Sequence, residues 1–189
     1  MTVVPARGRT GLEMCQALAV RVKNISRVMY VAMALVILVG DQATKALVER
    51  SIPEHTVIPV IPHFLDFVHN KNTGAAFGLF ADSPAAWKTA LLVVASAALL
   101  VLVAAIVWKA KESSWESGVG LALILGGAVS NLADRIRFGR VVDFIDVHVW
   151  GYHWFPFNVA DSAIVVGAGL LILQIFLSSP HGPPVRPKG

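Results

Sequence analysis

The sequence predicts an all-α membrane protein: four transmembrane helices, a small extracytoplasmic β-sheet and an interfacial aromatic loop. Three observations carry this expectation. The chain is 56% hydrophobic and only 15% charged, with a mean hydropathy of +0.66, whereas soluble domains average roughly 45–50% apolar and 25% charged. Four apolar runs each reach roughly 20 residues, the length a helix needs to cross about 30 Å of hydrocarbon. Between the first two runs lies a segment rich in β-branched and aromatic residues and broken by Pro. Helices are the expected spanning form, because lipid offers no partner for open backbone groups.

Taken in order, residues 1–27 read as a cytoplasmic extension, basic through Arg7, Arg9, Arg21, Lys23 and Arg27. Within it Gly11 to Val22 suits a short amphipathic helix with Leu12, Cys15, Ala19 and Val22 on one face. A cleaved signal peptide is disfavoured, since the next run reaches spanning length and no small-residue cleavage site follows it. Residues 28–178 read as one four-span domain. Its spans are expected at about 28–48, 86–108, 116–136 and 157–177, and its outer loops at about 49–85 and 137–156. Residues 179–189 are a Pro-rich cytoplasmic tail. Cys15 is the single cysteine, so there is no internal disulfide and no Cys/His metal spacing. No Walker loop or G-x-G-x-x-G is present.

Lys and Arg set the orientation. Their bias places both termini in the cytoplasm, and the formal net charge of +4 reads as a topology signal rather than as a nucleic-acid surface. Asp41 and Lys45 then lie in the outer part of the first span. Asn131, Asp134 and Arg135 lie near the outer end of the third, and Asn158 and Asp161 at the outer start of the fourth. Asp143 sits in the outer loop between them. Every intramembrane polar group therefore falls in one leaflet. Ionisable groups there are expensive and mark a functional site by default. In the first outer loop, Thr56–Pro62 and Phe64–Asn70 read as short strands. The turn Asn70-Lys71-Asn72-Thr73-Gly74 follows, then the apolar piece Ala75–Phe80.

Asp41 and Lys45, at i,i+4, share a helix face and read as a structural ion pair. Asn131, Asp134 and Arg135 share another face. Arg135 either neutralises Asp134 or offers its planar fork to a substrate carbonyl, and Asp134 reads as structural. Asn72 either binds substrate backbone or shapes its turn. Asp146 reads as a solvated loop acid. His148 and His153 read as part of an aromatic interface rather than as metal ligands. Gly126-Gly127-Ala128 permits close approach of another helix. If Lys45 matches Asp41 and Arg135 matches Asp134, the remaining apolar-flanked acids are Asp143 and Asp161. Two carboxylates brought close share a proton. One then activates a water while the other, protonated, polarises a scissile carbonyl, which is aspartic-protease chemistry without a metal or other cofactor.

These motifs resemble the lipoprotein signal peptidase (signal peptidase II) family of bacterial prolipoprotein signal peptidases. The resemblance rests on Asp41-Gln42-x-x-Lys45, Asn72-Thr73-Gly74-Ala75-Ala76-Phe77, Gly126-Gly127-Ala128-x-x-Asn131-Leu132-x-Asp134-Arg135, Val141-Val142-Asp143-Phe144 and Phe157-Asn158-x-Ala160-Asp161-Ser162, in the family's order. It implies that Asp143 and Asp161 are the catalytic dyad. It implies that Asn72, Asn131, Arg135 and Asn158 line or support the substrate site, with Asp41, Lys45 and Asp134 more structural. The implied reaction is removal of the signal peptide from diacylglyceryl-modified prolipoproteins, cut just before the lipidated cysteine, at the outer face of the bacterial inner membrane. The implied partners are that substrate and membrane lipids, the implied inhibitor is the cyclic peptide globomycin, and a monomer is expected. Two other classes compete on the residues alone. A proton-coupled carrier would place its acids at mid-depth within repeats, and an assembly subunit would use them as helix glue.

Overall fold

The computed structural model describes residues 11–73 and 115–178, with helical residues 87, 90, 91, 93–98, 101, 102 and 105 between them. The elements are α1 (Gly11–Ser51), β1 (Val57–Ile61), β2 (Leu65–Asn72), α2 (Trp115–Phe138), β3 (Val141–Val149), β4 (Tyr152–His153) and α3 (Val159–Ser178). The expected second span, about 86–108, falls largely outside the described residues, as do the apolar piece Ala75–Phe80 and the tail 179–189.

Three described helices are long and apolar enough to cross a membrane: Arg27–Ser51, Ser117–Phe138 and Val159–Leu177. Their side chains point the way a lipid-facing surface requires. Val31, Leu35, Val36 and Val39 on α1, and Val165, Val166, Ile172 and Ile175 on α3, are exposed. A water-soluble bundle would turn such stripes inward. α1 runs without a break through the boundary expected at residue 27. Nothing in Lys23-Asn24-Ile25-Ser26-Arg27 breaks a helix, so the short amphipathic helix and the first span are one element.

α2 lies between α1 and α3, and small residues bring the three axes close. A Cβ on Gly126 would stand 2.6 Å from the Ala34 carbonyl oxygen of α1. One on Gly127 would collide with the Ala160 carbonyl oxygen, in the first turn of α3. Adjacent glycines thus admit one neighbour on each side, the close approach that small residues make possible between membrane helices.

The sheet is antiparallel throughout, in the order β1-β2-β3-β4. β1 falls where the sequence placed it, while β2 runs on through Lys71 and Asn72, expected in a turn, because they pair with Val142 and Val141 of β3. The segment 137–156, expected as an aromatic loop, instead supplies β3 and β4. The cause is that β3 is buried from Val141 to Phe144 on successive residues, so on both faces. A strand covered on both faces lacks the polar alternation by which strands are recognised. Val142 and Phe144 of β3 pack with Val48 and Ile52 at the end of α1, with Ile145 and Val159 against them. That small core seats the sheet at the C-terminal end of α1.

This packing makes a signed expectation. Gly127→Ala drives a methyl into the backbone of α3 and should cost about 1–3 kcal/mol of stability. Gly169→Ala adds a methyl where, among the described residues, nothing lies within 4 Å, and should be neutral or stabilising, because Ala is the better helix former. Thermal unfolding of both variants in one detergent checks the pair.

Candidate active site

The polar residues of the three helices and β3 converge on one network. Its centre is Lys45 Nζ, buried in α1. It donates to Asp41 Oδ2 (2.6 Å), Asp134 Oδ2 (2.6 Å) and Asn131 Oδ1 (2.7 Å). An ammonium has three N–H donors and no acceptor, so all of them are committed. This corrects the pairing expected for Asp134. Its counter-ion is Lys45, not Arg135, although Arg135 is its chain neighbour. Consecutive helical residues diverge by about 100°, which aims Asp134 at α1 and leaves Arg135 off that line. The Arg135 Nη1 instead donates to the Asn131 backbone carbonyl (3.3 Å), with Asp161, Asp143 and Asp134 within its electrostatic reach.

Asp41 is fully buried. Its Oδ2 also accepts from Ser130 Oγ (2.7 Å), and its Oδ1 accepts from the Ala160 backbone N–H (2.8 Å). A carboxylate of α1 thereby satisfies one of the four open N–H groups that begin α3 and sits at the positive end of its dipole. Gln42 completes the set, donating from Nε2 to Ser130 Oγ (2.9 Å) and Asp134 Oδ1 (2.7 Å). Sequence reasoning gave Ser130 no role and Gln42 only a place in a motif. The available signal was spacing: Gln42 is three residues before Lys45, and Ser130 immediately precedes Asn131.

Asn158 is the N-cap of α3, one residue before the helix rather than inside the first turn. Its Oδ1 accepts from the Asp161 N–H (2.9 Å), while Asp161 Oδ2 accepts from the Asn158 N–H (3.2 Å). This reciprocal exchange is a capping box with Asn and Asp in place of the usual Ser and Glu. Backbone pairing brings the cap to β3. Phe157 exchanges hydrogen bonds with Ile145 (2.9 and 3.0 Å), two residues from Asp143. Asn158 Nδ2 can then donate to Asp143 Oδ1 (2.7 Å).

Asn72 ends β2, opposite Val141, and donates from Nδ2 to Asp143 Oδ2 (2.9 Å). Its side chain thus holds a carboxylate. Asn131 Nδ2 donates to Asp161 Oδ1 (2.8 Å). Lys45, a pure donor, faces the other end of that amide and fixes which way it points. Asp143 and Asp161 thus each accept two N–H donors, and Asn158 bonds both. Asp143 is buried and Asp161 half-buried. Burial pushes the Asp143 carboxyl up to about 6. Hydrogen bonds from Asn72 and Asn158 oppose the rise, and the Asp161 charge adds to it.

Two further readings change. Asp146 is buried, and its Oδ2 meets His153 Nδ1 at 2.9 Å. His148 Nε2 lies 3.2 Å from Asp66 Oδ2, and the two imidazoles stack with centroids 4.6 Å apart. These pairs lie across strand registers that a linear reading does not contain: Asp66 opposite Asp146 and His148 opposite His153. Among the described residues no group of three or more His, Cys, Asp or Glu is arranged to hold a metal ion.

Lys45→Met should strand two buried carboxylates and cost about 3–5 kcal/mol. Lys71→Met removes only the surface ion pair with Glu54 and should leave the unfolding temperature nearly unchanged. Unfolding midpoints in matched detergent check the contrast.

Comparison with known proteins places this arrangement. Residues 33–177 match the family model described as Signal peptidase (SPase) II. The chain is 46% identical over 142 residues to a lipoprotein signal peptidase of Solibacter usitatus, covering 75% of this chain and 87% of that one. It is 44% identical over 169 residues to one of Pseudomonas putida, covering 86% and 95%. Two solved structures of bacterial membrane enzymes, obtained by the in meso method at 2.3 and 1.9 Å resolution, superpose with TM-scores of 0.73 and 0.71. They are 27% and 29% identical, covering 85% and 80% of this chain and 94% of each of theirs.

Proposed function

The chain belongs to the signal peptidase II family, and on that premise we propose that it is an aspartic endopeptidase whose dyad is Asp143 and Asp161. Membership makes it a bacterial membrane peptidase that removes signal peptides from prolipoproteins. The proposal is the chemistry and its placement. The single observation that supports it most is Asn158, which bonds both carboxylates at the mouth of α3.

Two adjacent carboxylates in a partly desolvated site hold one proton between them. The ionised member takes a proton from water as that water attacks the carbonyl carbon of the residue before the lipidated cysteine. The protonated member donates to the carbonyl oxygen as it becomes an oxyanion. Collapse of the tetrahedral intermediate breaks the C–N bond, and a dyad proton passes to the leaving amine of the cysteine. Asn72, Asn131 and Asn158 hold the carboxylates in place. Arg135, not committed to Asp134, provides positive charge beside a site that carries negative charge throughout.

The substrate is a diacylglyceryl-modified prolipoprotein, cut just before its lipidated cysteine. Depth supports this reading, because the acids lie where three helices end and the sheet begins. A lipid-modified cysteine is held at that level by its acyl chains. The same reading places both termini in the cytoplasm, the dyad toward the extracytoplasmic face, and a monomer among membrane lipids.

Cleavage of a purified diacylglyceryl-modified prolipoprotein tests the dyad. Asp143→Asn and Asp161→Asn should fold yet lose turnover by orders of magnitude, while Asp146→Asn keeps it. Near-normal turnover by either dyad variant refutes the assignment. The pH dependence follows from the raised Asp143 carboxyl. The mechanism needs one proton on the pair, so kcat/KM should be bell-shaped in pH, with the raised Asp143 carboxyl, at about 6, setting one limb. The same shift makes the native state bind this proton more tightly than the unfolded chain, whose ordinary value is 3.8. Its contribution to stability should therefore decline as pH rises from about 4 through 6, and Asp143→Asn should abolish that decline.

A further inference from the structure

The β3–β4 hairpin carries a feature that the dyad chemistry does not use. Its two-residue turn, Trp150-Gly151, has φ of +52° and +81°. It joins the paired residues Val149 and Tyr152. Both central residues of this type I′ turn are left-handed, a geometry that suits Asn-Gly and strains a bulky side chain at the first position. Trp150 occupies that position and is 100% exposed. The fold thus carries backbone strain to hold an indole at its outermost point, a pattern that points from the strain to a function.

The surroundings match. Val149, Tyr152, Trp154 and Phe155 are exposed beside it, and residues 147–157 contain no Asp, Glu, Lys or Arg. The hairpin is tethered to the membrane helices by short connections. α2 ends at Phe138 and β3 starts at Val141, while β4 ends at His153 and α3 starts at Val159. The base of the hairpin therefore sits where two spanning helices end, the level at which Trp and Tyr are enriched.

We propose that Trp150, with Tyr152 and Trp154, anchors the β3–β4 hairpin in the headgroup region of the bilayer and so sets the depth of β3. Asp143 stands seven residues back along the same strand, about 23 Å at the rise of an extended chain, so the anchor acts on the far end of the element that bears a dyad acid. A convex tip favours lipid over the other occupants. Its exposed residues, Val149, Trp150, Tyr152, Trp154 and Phe155, are apolar or aromatic with no Asp, Glu, Lys or Arg among residues 147–157 to pair with a protein partner, and aromatic rings of this kind suit the interface between lipid and water. The anchoring stands apart from the protease reading, whereas its effect on catalysis rests on it.

The test compares wild type, Trp150→Asn and Trp150→Gly. In detergent both variants should unfold at the wild-type temperature or above, because both residues accept positive φ. In nanodiscs of phosphatidylethanolamine and phosphatidylglycerol with acyl chains brominated near the glycerol, the fluorescence lost on substitution should be strongly quenched in the wild type. Bromine near the chain ends should quench it weakly. KM for diacylglyceryl-prolipoprotein in those discs should rise several-fold with kcat unchanged. An unquenched Trp150 overturns the anchor, as does a dimer that requires it. Quenching with unchanged KM overturns the depth-setting role. Full turnover by Asp143→Asn alongside quenching would sink the protease mechanism and leave the anchor standing.

Discussion

One buried ammonium holds the rest in place. Lys45 reaches two carboxylates and a carboxamide from a single atom, and each partner passes the constraint on. Asp41 carries it to the first turn of α3, Asp134 ties it to α2, and Asn131 carries it to Asp161. Three membrane helices are thereby fixed at one depth and one rotation. Such a cluster is a poor source of net stability, since desolvating its charges offsets most of their attraction. Its value is registry: removing one member leaves the others buried without partners, so only one arrangement of the helices satisfies all of them.

The second constraint is backbone pairing. Asp143 and Asp161 lie on a strand and a helix that share no side-chain periodicity. They meet because Phe157 pairs with Ile145 and hands the chain to Asn158, which caps α3 and bonds Asp143. The capping box turns an ordinary device for starting a helix into the means of presenting an acid at its mouth. Asn72 at the end of β2 closes the far side. Among the described residues Asp143 is held by two carboxamide N–H groups, and Asp161 by one carboxamide and one backbone N–H. Both thus remain able to exchange a proton, and burial holds the Asp143 carboxyl near 6 instead of leaving it fully ionised.

Packing makes this geometry possible. Gly126 and Gly127 bring α1 and α3 close enough for side chains as short as Asp41 and Asn131 to bridge them. The same helices turn their branched apolar residues outward, so the interior is kept for polar groups and small residues while lipid covers the rest.

The sequence by itself determined the solvent and the family. Its apolar runs define membrane helices because lipid leaves the backbone no other form. Its acids at the ends of those runs mark a site because charge there is costly. Its ordered motifs point to the family. Residue spacing also announced the face shared by Asp41 and Lys45, and the two first strands. Only the tertiary structure decided which charge answers which. Asp134 turned from its neighbour Arg135 to Lys45, 89 positions away, since helix rotation, not adjacency, sets direction. Asn72 became a support for Asp143, Ser130 and Gln42 joined the network, and an expected aromatic loop became the strand that carries an acid. These depend on distances between segments folded together from opposite ends of the chain. A linear pattern records what each residue can bond, and only the packed helices and sheet select the partner within reach.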